Sequence, residues 1–135
     1  MAASKKEKMG QYFYIVNTAK KQYLHPHKLG EGLKLFELGT NCMHALAWLL
    51  ADNDGGGQWA GDPIVIAGDY GTGMHSTAQD EFEDISFSVV EELCRKHAWF
   101  AKEMASDLRN WGQDKELPAT LHALLWPGET KVNQP

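Results

Sequence analysis

Acidic, aromatic and imidazole side chains follow a short apolar run in the middle of the sequence. Residues 59–77 read WAGDPIVIAGDYGTGMHST, a run of β-branched residues that leads into a glycine-rich turn. Asp69, Tyr70 and His75 are residue types that bind ligands or transfer protons. No complete catalytic signature joins them. The pattern therefore indicates a site without specifying a reaction.

Two histidines nearer the start of the chain could complete a metal site. His25 and His27 flank Pro26, and residues two apart in an extended backbone point to the same side. Together with Asp69 and His75 they would form a mixed set of imidazole and carboxylate ligands, which suits zinc, manganese or iron. The sequence thus predicts a divalent-metal site at these four residues, with a solvated turn beside Pro26 as the alternative.

The glycines that precede Met74 also invite comparison with a phosphate-binding loop. A strand, a glycine turn and a helix N-terminus can together hold an anion. The Walker pattern requires Lys and then Ser or Thr after its second glycine, whereas Met74 and His75 stand there. Asp69 adds a negative charge where the anion would lie. A turn without a ligand is therefore favoured over nucleotide binding.

Aromatic residues support a different interpretation of the same region. Tyr23, Trp59, Asp69 and Tyr70 are predicted to line a ligand pocket or a protein-partner surface, and Trp59 and Trp99 are predicted to be exposed. A non-enzymatic ligand-binding or protein-interaction module is the preferred function, and a homo-oligomer is predicted. The alternative is a metal-dependent hydrolase in which a metal-bound water is the nucleophile.

Composition limits the classes of protein to which this chain can belong. Its 135 residues, 43% hydrophobic and 23% charged, predict one domain with its own core. The formal charge of −5 argues against nucleic acid as a partner, because phosphate contacts need clustered Lys and Arg. No membrane span or apolar signal segment is found, which predicts a cytoplasmic protein. Cys42 and Cys94 are predicted to be reduced core thiols.

Charge and proline content predict where the folded domain begins and ends. Residues 1–8 contain three lysines and little that could pack, so they are predicted to be a disordered tail. Residues 9–126 are predicted to form a single globular domain. Residues 127–135 are predicted to be a flexible C-terminal tail.

Strand patterns occur in the first half of this domain. Residues 11–16 and 22–25 are aromatic and β-branched and predict a β-hairpin with a polar loop. Residues 64–67 predict a short buried strand. Residues 33–38 partly alternate apolar with charged side chains and could form either a strand or a short helix.

Helical patterns dominate the remainder. Asn41 is the predicted N-cap of an apolar helix over residues 42–51, which should be buried centrally. Apolar residues at spacings of three and four predict a long amphipathic helix over residues 79–111, with a break near residues 96–98 as an option. Pro118 suits the start of a last helix. The predicted fold is α+β, a small antiparallel or mixed sheet packed by the buried helix and the long amphipathic helix.

Five blocks of the sequence stand out together: GQYF at 10–13, YLHPHKLGEGLKL at 23–35, WAGD at 59–62, IVIAGDY at 64–70 and FEDIS at 82–86. With these blocks the chain resembles a family of small uncharacterised proteins of microbial and phage origin. The resemblance extends over about residues 10–95. It implies a boundary for the domain but no activity, and the short turn at residues 71–73 departs from the longer segment typical of the family.

Overall fold

The computed structural model describes most of the predicted domain and the first residues after it. The described stretches are residues 11–52, 57–110 and 112–129. The predicted tail at residues 1–8 lies outside them, as do residues 130–135. Within the predicted C-terminal tail, the Glu129 N–H donates to the Trp126 carbonyl, and the Glu129 carboxylate lies 2.6 Å from the Arg109 guanidinium. These contacts attach residues 127–129 to the domain.

The predicted β-hairpin is confirmed. Strand β1 (Phe13–Asn17) pairs antiparallel with strand β2 (Gln22–Leu24), and Ile15 lies opposite Leu24. The polar loop between them is fixed by Asn17, whose side-chain oxygen accepts the backbone N–H of Lys20. The pattern of aromatic and β-branched residues on either side of a short polar loop is therefore sufficient to predict this hairpin.

Two further strands extend the hairpin on either side into a mixed sheet. Strand β3 (Ile64–Gly68) pairs antiparallel with β1, and strand β4 (Glu83–Asp84) pairs parallel with β2, in the order β3-β1-β2-β4. The prediction of a strand at 64–67 is confirmed, but the prediction that it is buried is wrong. Val65 and Ile66 are 40% and 45% exposed because β3 is an edge strand with a neighbour on one side only.

The segment after the hairpin contains two short 3-10 turns, Pro26–Leu29 and Leu35–Glu37, and then a helix. Because the second turn is helical, the ambiguous residues 33–38 adopt the helical alternative. Helix α1 (Thr40–Leu50) follows, with Gly39 at its N-cap position. The prediction of Asn41 as the N-cap is wrong, because Asn41 lies within the first turn and is buried.

A distant carboxylate takes the place of a local cap at the start of α1. Glu31 accepts the backbone N–H groups of Gly39, Asn41 and Cys42 at 2.8, 2.9 and 3.0 Å. The Asn41 side chain turns away and donates to the Leu29 carbonyl at 2.9 Å. Because these N–H groups have no partner inside the helix, Glu31 satisfies donors that a cap residue normally satisfies.

The predicted long amphipathic helix is divided into three. Its parts are α2 (Met74–Glu81), α3 (Ser86–Lys96) and α4 (Ala98–Asn110). The optional break occurs at His97, whose φ of −136° and ψ of 105° are extended rather than helical. The prediction that one continuous helix starts at residue 79 is wrong, because the chain forms β4 between α2 and α3. The predicted end of that helix, Trp111, lies outside the described residues. The last helix, α5 (Ala119–Leu125), begins after Pro118.

Helices cover the sheet on both faces and confirm the α+β fold. The larger core lies between one face and helices α1, α3, α4 and α5, and Phe100 and Met104 are completely buried there. The smaller core lies on the other face under α2, where Ala78 packs with Val16. Helix α1 contributes Cys42, Ala45 and Leu49 to the larger core, but the prediction that it is buried centrally is wrong, because Met43 and Leu50 on its outer side are 63% and 38% exposed. Within the described part of the chain, no helix has the length and apolar character needed to cross a membrane.

Both cysteines are buried free thiols, as predicted. Burial is the main cause that raises the pKa of Cys42, with the nearby Glu31 carboxylate adding to it. Burial likewise raises the pKa of Cys94 to about 12. Both side chains are therefore protonated at neutral pH and act as small apolar core residues.

Candidate functional site

Four of the predicted site residues meet around a tyrosine that sequence reasoning missed. The Tyr14 ring stacks on those of His75 and Tyr23, with centroids 4.0 and 4.8 Å away. The His25 ring lies 5.0 Å from Tyr14, and the His27 ring lies 5.9 Å from His25. We call these five residues the Tyr14 cluster. Strands β1 and β2, the 3-10 turn Pro26–Leu29 and the first turn of α2 bring them together.

An ionised carboxylate lies beside this cluster. Asp84 accepts the backbone N–H and the hydroxyl of Ser86 at 2.9 and 2.6 Å, and its carboxylate also lies 2.7 Å from the Lys28 ammonium. Burial alone would raise the pKa of Asp84, but the hydrogen bonds from Lys28 and Ser86 outweigh burial and lower it. Asp84 therefore carries its charge at neutral pH and stabilises the start of α3.

The serine beside Asp84 is not arranged as a nucleophile. The Ser86 hydroxyl donates to Asp84 and accepts the backbone N–H of His25 at 2.7 Å. The Nδ1 atom of His25 is buried and has no hydrogen-bond partner. An activated serine needs a base within hydrogen-bond distance of its oxygen, and here the hydroxyl proton is directed to a carboxylate that also caps a helix.

Burial keeps four of the rings in the Tyr14 cluster, those of Tyr14, Tyr23, His25 and His75, uncharged at neutral pH. It is the main cause that lowers the pKa of His25 to about 4 and also lowers that of His75. It likewise raises the pKa of Tyr14, and that of Tyr23 to about 12. A general acid or base works best with a pKa near the operating pH, and these four shifts lead away from neutrality. These four rings are therefore suited to packing and not to proton transfer.

The residues predicted as metal ligands do not form a ligand set. Among residues 11–52, 57–110 and 112–129, no three His, Cys, Asp or Glu side chains are placed to hold a metal ion. His25 and His27 are neighbours, but the His27 Nδ1 atom lies 2.9 Å from the Glu31 carbonyl oxygen. His75 lies across the Tyr14 ring, and Asp69 accepts the backbone N–H of Tyr12 at 3.2 Å. The geometry gives the metal-dependent hydrolase no support.

The predicted partner-binding residues are divided among three places. Tyr23 belongs to the buried Tyr14 cluster. Trp59 is completely buried, and its indole N–H donates to the Gln22 side chain at 2.8 Å, so the prediction that it is exposed is wrong. Asp69 and Tyr70 lie in the turn that follows β3. Of the four, only these two residues lie beside an exposed strand.

Hydrogen bonds at the two ends of β3 show which of its backbone N–H groups face β1. The Asp69 N–H donates to the Tyr12 carbonyl at 3.0 Å, and the Thr18 N–H donates to the Pro63 carbonyl at 3.3 Å. Both pairs continue the register of β1 with β3. In an antiparallel ladder, bonded and non-bonded pairs alternate, so Val65 and Ala67 are bonded to β1.

The remaining amides of β3 face outward. No described strand pairs with this side, because β3 ends the sheet. Among the described residues, one backbone bond is formed there: the Gly68 carbonyl accepts the Gly71 N–H at 3.0 Å. We call this side of the strand, with the side chains of Val65 and Ile66, the β3 edge. Its outward amide N–H groups belong to Ile64, Ile66 and Gly68.

A shallow apolar cleft runs beside the β3 edge. Its volume is about 220 Å³, and it is lined by strand residues and by the turn that leads into α2. Val65, Ile66 and Met74 supply its apolar side chains, and Thr72 supplies a hydroxyl. An open backbone edge and exposed apolar side chains therefore occur together at one place.

The β3 edge is the described surface with the clearest capacity to bind another chain. No protein-family model, curated protein or solved structure matches this sequence. The resemblance to small microbial and phage proteins stays a prediction. Function is therefore inferred from the geometry of the β3 edge.

Proposed function

We propose that this protein is a non-enzymatic protein-interaction module that binds an extended segment of a partner polypeptide along the β3 edge. One observation supports the proposal above all: outward amides at Ile64, Ile66 and Gly68 lie next to the exposed side chains of Val65 and Ile66. In strand addition, main-chain hydrogen bonds supply affinity, and pockets for alternate side chains supply specificity.

Charge around the strand defines the chemistry of the partner segment. Residues 63–68 contain no charged side chain, whereas Asp62 and Asp69 bound the strand and the whole chain carries a formal charge of −5. Asp62 is already paired with Lys20 at 2.6 Å, so Asp69 is the freer of the two carboxylates. The partner segment is therefore apolar at its centre and basic at its ends, above all beside Asp69.

A second copy of this chain fits the β3 edge less well. In a two-fold antiparallel pairing centred on Ile66, Asp69 of one copy lies opposite Pro63 of the other, next to its Asp62. The same approach of carboxylates recurs at the other end of the pairing. Like charges at neighbouring cross-strand positions are destabilising. A basic segment of a different protein avoids this repulsion.

Peptide selection tests the proposal directly. A random peptide library displayed on phage is selected on the immobilised protein, and each enriched peptide is titrated against Ile66→Pro. Proline at this position removes an outward N–H and leaves the bonds to β1 intact. Enriched peptides should be apolar with Lys or Arg at their ends, and Ile66→Pro should weaken their binding roughly ten-fold, the effect of about 1.4 kcal/mol.

The control variant is Met43→Ala, which truncates an exposed apolar side chain on α1, away from the sheet edge. It should bind the enriched peptides as the wild type does. In hydrogen exchange, a bound peptide should protect the amides of Ile64, Ile66 and Gly68. Absence of enrichment, or equal binding by Ile66→Pro, would contradict the proposal. Dimerisation that Ile66→Pro abolishes would make a second copy the occupant.

A further inference from the structure

A second cleft, lined by aromatic rings, lies between α1 and the junction of α3 with α4. Its volume is about 260 Å³. Trp48 and His44 of α1 form one side, and His97 and Trp99 form the other. Trp99 is 53% exposed, so the rings can be reached from solvent. We call this feature the aromatic cleft, and it lies on different elements from the β3 edge.

The rings of the aromatic cleft stand at steep angles to one another. The planes of Trp48 and His97 are 87° apart with centroids at 6.3 Å, and those of His44 and Trp99 are 76° apart with centroids at 4.8 Å. The His97 and Trp99 planes are inclined at 37° with centroids at 5.5 Å. Small residues, Ala47 and Ala51, line the space between the rings. The paired rings contact one another, and the cleft beside them has aromatic walls in several orientations.

The electrostatics of these walls favour a cation. The face of an indole ring is the negative end of its quadrupole and attracts positive charge. The Trp48 indole N–H donates to the Glu92 carboxylate at 3.0 Å, which places a negative charge at the edge of that ring. The Lys96 ammonium lies 5.9 Å from the Trp48 ring centre, so this ring already attracts a cation from within the chain.

We propose that the aromatic cleft binds a methylated ammonium group, such as the trimethylammonium head of a small molecule or of a modified lysine. Such a group has no N–H to satisfy when it is fully methylated, and aromatic walls are the usual means of recognising it. Lys96 is not among the residues that line the cleft, whose volume of about 260 Å³ leaves room for a second cation beside the Trp48 and Trp99 rings.

Ligand titration distinguishes a cation site from a merely apolar one. Choline and the amide of N-acetyl-trimethyllysine are titrated separately, with the indole N–H signals of Trp48 and Trp99 followed by NMR. The uncharged carbon analogue of choline, in which carbon replaces the quaternary nitrogen, is the matched control ligand. At least one cation should shift these two signals saturably and bind several-fold more tightly than the control. Preference for choline indicates a free small molecule, and preference for trimethyllysine indicates a modified side chain.

Three variants test whether the rings carry the binding. Trp99→Ala removes an exposed wall and should weaken cation binding roughly three- to thirty-fold. Lys96→Gln removes a like charge near Trp48 and should tighten it. Met43→Ala, an exposed residue of α1 that does not line the cleft, should leave it unchanged. The proposal would be overturned if the uncharged analogue bound as tightly as the cations, or if neither cation gave a saturable shift. It would also be overturned if Trp99→Ala bound the cation as tightly as the wild type.

Discussion

At the residue scale, the start of α1 depends on a carboxylate that lies eight or more positions earlier in the chain. Glu31 accepts three backbone N–H groups there. Glu31→Gln should lower the free energy of unfolding by about 1–2 kcal/mol and Glu31→Ala by about 2–4 kcal/mol, because hydrogen bonds to a charged acceptor are stronger than neutral ones. Urea denaturation measures both changes. The exposed Glu103→Gln on α4 is the control and should change stability by less than about 0.5 kcal/mol. A Glu31→Ala variant as stable as the control would contradict the capping role.

A second carboxylate gives stability that depends on pH. The pKa of Asp84 is lowered in the folded protein, so its contribution is complete above the unfolded pKa of about 4 and is lost as pH falls through the folded value. Asp84→Asn should therefore cost about 1–3 kcal/mol at pH 7, and the difference from the wild type should shrink at pH 3. Urea titrations at both pH values measure this difference. Asp80→Asn, which changes an exposed carboxylate on α2, is the control. If the loss of unfolding free energy in Asp84→Asn were as large at pH 3 as at pH 7, the charge of Asp84 would not be its cause.

These residue roles differ in how far the sequence could reveal them. The Cys42 and Cys94 thiols were predicted correctly because free cysteine is usually buried. Nothing local to α1 points to Glu31, since its partners are set by the path of the chain through the 3-10 turns. Trp59 is predicted to be exposed, yet Gln22 of β2 accepts its indole N–H and allows complete burial. Contacts between distant segments decided both cases.

At the element scale, the two sides of β3 should respond differently to proline. Val65 is bonded to β1, whereas the Ile66 N–H faces outward. Val65→Pro breaks a ladder hydrogen bond and should cost about 3 kcal/mol or more, while Ile66→Pro should cost at least about 1 kcal/mol less. Thermal and urea unfolding of the two variants give this difference. Equal destabilisation, or a greater loss for Ile66→Pro, would mean that the outer edge of β3 is engaged in the folded protein.

The elements show what sequence patterns can and cannot determine. The hairpin was predicted because strand propensity and turn chemistry act within a few residues. The apolar run at 64–67 was correctly identified as a strand, but its place in the sheet was not. A continuous apolar run is typical of a strand covered on both faces. Strand β3 is instead an edge strand, because it pairs with β1 and with no other described strand. The break at His97 was anticipated as an option, whereas β4 is too short to be recognised by periodicity.

At the scale of the whole molecule, the order of the sheet separates the packed region from the binding surfaces. Strands β1 and β2 are central, so Tyr14, Tyr23 and His75 are buried between these strands and α2. The candidate surfaces are peripheral: the β3 edge terminates the sheet, and the aromatic cleft lies among helices on the face with the larger core. Tyr23 and His75, which first suggested chemistry, thus serve the interior of the fold.

Burial of the histidines makes the stability of the whole molecule sensitive to mild acid. The pKa of His25 falls from about 6.5 in the unfolded chain to about 4 in the folded protein, and that of His75 is also lowered. Between these values the unfolded chain binds more protons, so stability must fall as pH decreases from about 6.5 towards 4. For His25 alone the loss of unfolding free energy by pH 5 is at most about 2 kcal/mol, and solvent contact of the partly buried ring reduces it.

Urea unfolding at pH 7.5, 6 and 5 should show this decline for the wild type and a flatter profile for His25→Gln. Parallel profiles for the two proteins would mean that His25 is protonated as readily in the folded protein as in the unfolded chain.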